Sequence, residues 1–207
     1  MFFARNGGRA MNRLAILFLA AACVCSGAAL ADDAAIPGKI AKSCQSCHGA
    51  GGDSTSPSVP RLNGQPAGYL AQRLKSLRDP TKQSINAIHA MWDLSTHIGD
   101  DDISQIAKYY AAQKPTPAAG KAGALANEGA RLYAGGGKGV PACQACHGLH
   151  GEGMGLAPRL AGQHGLYLDY QLTAFVVTMR NQGAMNHTAM DLSQHQIDAL
   201  VAYLAKD

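Results

Sequence analysis

Two pentapeptides carry the chemistry of this chain: Cys44-Gln45-Ser46-Cys47-His48 and Cys143-Gln144-Ala145-Cys146-His147. Two thiols three positions apart can form thioethers to the two vinyl groups of one porphyrin. The histidine that follows then lies against the iron as an axial ligand. Other chemistries use the same residues. Paired Cys-X-X-Cys elements bind structural zinc, a single one can be a redox disulfide, and four thiols can pair as structural disulfides in an exported protein. Recurrence of the histidine at both sites puts two covalently attached c-type haems first, each containing iron, with electron transfer as their use.

A haem held only by His48 or His147 has one open axial position. An open position implies ligand binding or catalysis, whereas a thioether there implies electron transfer at raised potential. Methionine position is therefore informative. Met91 falls on Met185 at an offset of 94 residues, and each precedes Gly99 or Ser193 by eight. Met190 falls on Thr96 and has no partner, Met154 lies too near its haem motif, and Met179 reads as core packing on an apolar helix. His89 and His97 flank Met91, but Gly183 and Asp191 stand at their offsets, so a bis-histidine pair breaks the symmetry. The expected iron ligands are His48 and Met91 in one unit, His147 and Met185 in the other.

The offset reflects an internal duplication. Pro60-Arg61-Leu62-Asn63-Gly64-Gln65 matches Pro158-Arg159-Leu160-Ala161-Gly162-Gln163, and Tyr69-Leu70 matches Tyr167-Leu168. Two prolines within Gln113 to Gly120 mark the junction. The expected division is a signal peptide over 1–31, a first unit over 32–114, a linker over 115–120 and a second unit over 121–207.

Arg5, Arg9 and Arg13 precede the apolar run Leu14 to Val24, and Ala29-Leu30-Ala31 ends it, in the order of a secretory signal. Cleavage after Ala31 is expected, with Met11 as an alternative start; an uncleaved signal would anchor the protein. Export agrees with covalent haem, which is attached outside the cytoplasm. Apart from Cys23 and Cys25 in the signal, every cysteine lies in a haem motif, so none remains for a disulfide. The whole chain has 18 basic and 14 acidic residues; without the three signal arginines the balance is 15 to 14. Propionates would make it net acidic, which excludes a basic footprint for nucleic acid.

Apolar residues at helical spacing predict helices over Ile36 to Cys47, Ala67 to Arg78, Ala126 to Ala134 and Gly165 to Arg180. A last helix closes each unit. Ser193 with Gln196 reads as a capping box, and Gly99 precedes Asp100, Asp101 and Asp102, charges suited to a helix N-terminus. No useful strand pattern occurs, so the fold class is all-α. The carbonyls of Pro60 and Pro158 are candidates to hold the second ring nitrogens of His48 and His147. Arg61, Arg159, Gln65 and Gln163 are expected to meet propionates or to bridge the units. Trp92 packs on a haem edge or in the core. His150, His164 and His195 read as surface residues.

With these motifs in view the chain resembles the dihaem cytochrome c4 family. The likeness rests on Cys-X-X-Cys-His-Gly, the Pro-Arg-Leu-X-Gly-Gln-X-X-X-Tyr block, the methionine before the last helix, the tyrosine near its end (Tyr109, Tyr203) and the Gly-rich stretch before Cys143. The family often has two methionines around the first ligand position; here the run is Ala90-Met91-Trp92-Asp93-Leu94. The resemblance implies two tandem class I cytochrome c domains with pseudo-twofold symmetry and His/Met ligation. It also implies a periplasmic carrier, soluble or peripherally membrane-associated, that takes electrons from a quinol–cytochrome c reductase-type donor to a terminal oxidase-type acceptor. A cytochrome subunit of a dehydrogenase or oxidase complex would carry the same ligands. A dihaem peroxidase would instead need an iron with an open site.

Overall fold

Helix boundaries follow local sequence signals, and the apolar stripes of those helices then fix how they stack. The computed structural model describes residues 38–79, 88–118 and 123–206. The signal segment 1–31, the predicted helix start at Ile36 and the end of the linker at Ala119 and Gly120 lie outside these residues, as do 80–87 before Met91. Among the described residues the elements are α-helical, with a single 3-10 turn and two isolated β-bridges but no strands. The all-α expectation holds.

In the first unit α1 spans Gly38–His48, α2 Ala67–Leu77, α3 Ile88–Thr96 and α4 Asp100–Ala112. In the second, α5 spans Ala124–Gly135, α6 Gln144–His147, α7 Gly165–Val176, α8 Ala184–Ala189 and α9 Gln194–Leu204. Helix α4 begins with three aspartates that favour the positive end of the helix dipole. It buries Ile103, Ile106, Ala107 and Tyr110, the i, i+3, i+4, i+7 stripe of a helix with one core face. Helix α9 repeats the pattern with Ile197, Leu200 and Leu204. Its start is a full capping box: the Gln196 N–H donates to Ser193 Oγ at 3.3 Å, and the Ser193 N–H donates to Gln196 Oε1 at 2.9 Å.

These closing helices organise each unit. Helix α4 packs on α2; α9 packs on α7 and, more extensively, on α5. The α5–α9 crossing is so close that a Cβ at Gly129 would lie 1.9 Å from the Ala199 carbonyl oxygen, so only glycine fits. The cores form two clusters. Leu70, Ile106, Ala107, Tyr109 and Tyr110 make the first; Tyr133, Leu168, Phe175, Ile197, Leu200 and Leu204 are central to the second.

One predicted helix is too long. Helix α7 stops at Val176, short of Arg180. Thr178 takes a φ of 56°, a conformation costly for a β-branched residue, and the Arg180 N–H turns back to the Ala174 carbonyl at 3.0 Å. Arg180 is buried by this turn, while Met179, read as core, stands 39 % exposed.

The Pro-Arg-Leu-X-Gly-Gln blocks join the two units. The Arg61 N–H donates to Gln163 Oε1 at 2.8 Å, and Gln163 Nε2 donates to the Arg61 carbonyl at 3.0 Å. Reciprocally, the Arg159 N–H donates to Gln65 Oε1 at 2.9 Å, and Gln65 Nε2 donates to the Arg159 carbonyl at 2.8 Å. Both glutamines are buried, so these bonds satisfy amides that water does not reach. Of the two roles expected of Gln65, Gln163, Arg61 and Arg159, these contacts are the bridging one. His164 also crosses the junction. It is buried, not on the surface, and its Nε2–H donates to the Ser54 carbonyl at 2.8 Å. His150 and His195 are exposed as expected.

Candidate metal centres

Each haem motif sits where a helix hands over to a loop. His48 ends α1 and His147 ends α6. Both imidazoles are buried. His48 Nδ1–H donates to the Pro60 carbonyl at 2.8 Å, and His147 Nδ1–H donates to the Pro158 carbonyl at 2.9 Å. The proline carbonyls thus act as expected. This tautomer leaves the Nε2 lone pair of each ring available, the state a metal ligand requires. Burial pushes both imidazole pKa values down, against the opposing pull of the proline carbonyls, so the neutral form is favoured. In the second unit the Tyr133 hydroxyl donates to the Gly148 carbonyl at 2.5 Å, tying α5 to the residue after His147.

The cysteines are asymmetric within each pair. Cys44 and Cys143 are half-buried and Cys47 and Cys146 exposed; none of the four is in a disulfide. Burial pushes the Cys44 and Cys143 thiols up. Among the described residues no three His, Cys, Asp or Glu side chains converge as a metal-binding group, so the two Cys-X-X-Cys elements do not build a joint zinc site. The donor set instead suits a group that brings its own equatorial ligands: two separate thiols and one imidazole with a free Nε2.

Met91 lies on α3 and Met185 on α8, the short helices that precede α4 and α9. Both are half-buried, and Met185 packs against the second core cluster. Met154 and Met190 are 60 % and 58 % exposed. Trp92 is 39 % exposed and therefore not a core residue.

The segments that carry the methionines are pinned differently. In the first unit Arg78 Nε donates to the Ser95 carbonyl at 3.1 Å, and its Nη2 donates to the Ile98 carbonyl. Arg78 Nη1 also meets Asp100 Oδ1 at 2.7 Å. In the second unit Asn186, beside Met185, donates to the Phe175 and Arg180 carbonyls at 3.0 and 2.8 Å and accepts the Gln182 N–H at 2.7 Å. Sequence reading missed both residues. Asn186 stands next to a ligand candidate, but nothing in the sequence says that its amide folds inward.

A second feature was missed. Tyr69 and Tyr167, matched only as repeats, meet at the junction, where the charge of Arg180 acts on both hydroxyls. Burial pushes the Tyr167 hydroxyl up to about 12. Arg180 stacks 4.6 Å from the centre of the Phe175 ring. Arg73 lies nearby, its pKa lowered by burial and then by the charge of Arg180. Neither Arg73 nor Arg180 pairs with a carboxylate among the described residues, and the buried Nε of Arg180 has no hydrogen-bond partner. A buried and a half-buried guanidinium without protein carboxylates fit a ligand that carries its own, as haem does.

Comparison with known proteins supplies a further finding. The cytochrome c family profile matches residues 28–113 and 126–206. The chain is similar to cytochrome c4 of Pseudomonas aeruginosa, 35% identical over 202 residues, covering 94% of this chain and 98% of that protein. It is similar to the thiosulfate dehydrogenase electron acceptor of Thiomonas intermedia, 36% identical over 187 residues, covering 86% of this chain and 84% of the relative. Among solved structures, cytochrome c4 of Acidithiobacillus ferrooxidans superposes with a TM-score of 0.73 at 37% identity, over 79% of this chain and 98% of that one.

Proposed function

The chain belongs to the cytochrome c family, with the dihaem cytochromes c4 as its kin, and on that premise we propose how its residues hold two haems and where it works. It is an electron-transfer protein with two covalent c-type haems, not an enzyme, and it exchanges electrons with redox partners. Bound haem supplies one-electron exchange between ferrous and ferric iron.

In the proposed assignment Cys44 and Cys47 attach the first haem and Cys143 and Cys146 the second. His48 and Met91 ligate one iron, His147 and Met185 the other. The observation that carries this is the pair of Nδ1–H bonds to the Pro60 and Pro158 carbonyls, which orient each ring and leave Nε2 free. Burial of both histidines keeps water from the ligand and limits rearrangement when an electron arrives. Arg73 and Arg180, with the Tyr69 and Tyr167 hydroxyls, are the proposed partners of propionates.

The unit boundaries 32–114 and 121–207, with export to the periplasm and cleavage after Ala31, complete the assignment. A quinol–cytochrome c reductase-type donor and a terminal oxidase-type acceptor are the proposed partners. The likeness to a thiosulfate dehydrogenase electron acceptor favours a second donor, a sulfur-compound dehydrogenase. Visible spectra of the purified protein, oxidised and reduced, with and without carbon monoxide, test the ligation. Two c-type haems, a methionine–iron charge-transfer band and no carbon monoxide shift are expected. Carbon monoxide binding at one haem would overturn Met91 or Met185 as its ligand.

A further inference from the structure

The hydrogen bonds at the junction and those at the histidines share atoms. The Pro158 carbonyl that accepts from His147 and the Arg159 N–H that donates to Gln65 belong to one peptide group. The Pro60 carbonyl that accepts from His48 and the Arg61 N–H that donates to Gln163 belong to another. Each histidine is therefore joined, through a single amide, to a buried glutamine of the opposite unit.

We propose that Gln65 and Gln163 are positioning residues that act crosswise, each tuning the proximal histidine of the other unit through this shared peptide. The inference rests on His48 and His147 being the iron ligands.

The physical argument is polarisation. A peptide whose N–H donates to a good acceptor carries more negative charge on its carbonyl oxygen, and chained hydrogen bonds strengthen one another by about 10–30% per bond. A stronger carbonyl acceptor draws the Nδ1 proton and makes the imidazole a better donor to iron. That stabilises the ferric state and lowers the potential. Each glutamine also holds the adjoining peptide, since its Nε2 donates to the Arg159 or Arg61 carbonyl, so the arginine backbone that follows the acceptor is clamped on both sides. The acceptor is thus locked in direction as well as polarised. Gln163 is the less dedicated of the two, because its Oε1 also accepts the His164 N–H at 3.1 Å.

The test is a redox titration of the dihaem protein, followed through haem methyl resonances assigned unit by unit. Gln65→Met removes the acceptor at near-constant volume. It is expected to raise the reduction equilibrium constant of the His147 haem about threefold, near 30 mV at about 59 mV per decade for one electron. The His48 haem should hold its value. Gln163→Met should do the reverse, with the smaller shift. Gln65→Glu keeps an oxygen facing the Arg159 N–H and should not raise the His147 haem, which keeps the question answerable if the methionine variant does not fold. Equal shifts at both haems, a shift at the glutamine's own unit, or a rise with glutamate as large as with methionine would overturn the proposal and leave the glutamines as adhesive only. Failure of the ligand assignment would show separately, as a wild-type spectrum without two low-spin haems.

Discussion

The two units share a plan but are stiffened differently. In the second unit α5 and α9 cross at the contact Gly129 permits, Tyr133 is fully buried, and Met185 packs on the core. The described part of the first unit leans more on charge. Arg78 and Lys75 from the end of α2 reach Asp100 at the start of α4, at 2.7 and 2.9 Å. From the matching position at the start of α9 the second unit makes an amide–carboxylate hydrogen bond instead, Gln194 Nε2 donating to Asp169 Oδ1 in the first half of α7 at 3.0 Å. Duplicated helices can therefore keep one pairing while using an exposed ion pair in one unit and an amide hydrogen bond in the other, because each ties the start of the closing helix to the helix it packs on. What differs is sensitivity to salt, pH and loss of the haem.

The largest expected separation comes from removing one haem at a time. Replacing Cys44 and Cys47 with serine should leave one haem per chain and cost the first unit much of its helicity. Replacing Cys143 and Cys146 should leave more helix, because α5 and α9 retain their direct packing. Haem stoichiometry and circular dichroism measured side by side would decide; equal helix loss would remove the distinction. Next comes Gly129→Ala. Its Cβ overlaps the Ala199 carbonyl, and overpacking of this kind costs about 3 kcal/mol, sometimes more. Thermal melting should show the second unit loosening while the His48 haem band holds.

The methionines sharpen the contrast further. Met185→Ala should open its iron to carbon monoxide and also destabilise the core by about 2 kcal/mol, whereas Met91→Ala should open its iron at a smaller stability cost. Carbon monoxide difference spectra and denaturant midpoints on both variants would separate ligation from packing. The smallest effect is at Asp100. Its carboxyl is held below the ordinary range by hydrogen bonds from Lys75 and then Arg78. A depressed folded-state pKa means stability present above the unfolded value of 3.8 and lost as pH falls through the lower folded one. Asp100→Asn should flatten that acid dependence, and added salt should weaken the wild-type contact. An unchanged acid limb would show that the first unit does not depend on this ion pair.

Much of this was legible in the chain because it is local. The haem motifs, the Ser193–Gln196 cap and the aspartates opening α4 depend on residues within a few turns of one another, and the pairing of Met91 with Met185 follows from the repeat. The proline carbonyls were also within reach, since a proximal imidazole needs a second partner and a proline fixes the direction of the backbone. What failed was long-range. His164 looks like a surface residue until the other unit arrives with the Ser54 carbonyl. Gln65 and Gln163 left two roles open because the choice depends on what each faces across the junction. Met179 lies outside the expected core because α7 ends early at a strained threonine, and no proline or glycine within Val176 to Arg180 announces the stop.

Glycines 64 and 162 add one consequence. Both have positive φ, and a Cβ there would lie 2.5 Å from Pro115 Cβ and 2.1 Å from the Thr116 carbonyl oxygen. The connecting segment thus runs against both copies of the block. With the reciprocal Gln–Arg contacts this gives the logic of an isologous homodimer, in which one patch binds its own copy. Covalent connection replaces subunit concentration with an effective concentration, in the millimolar range for short flexible linkers. Such a junction need not be strong in isolation. It can remain small and polar, and still keep its halves paired at any dilution the cell imposes.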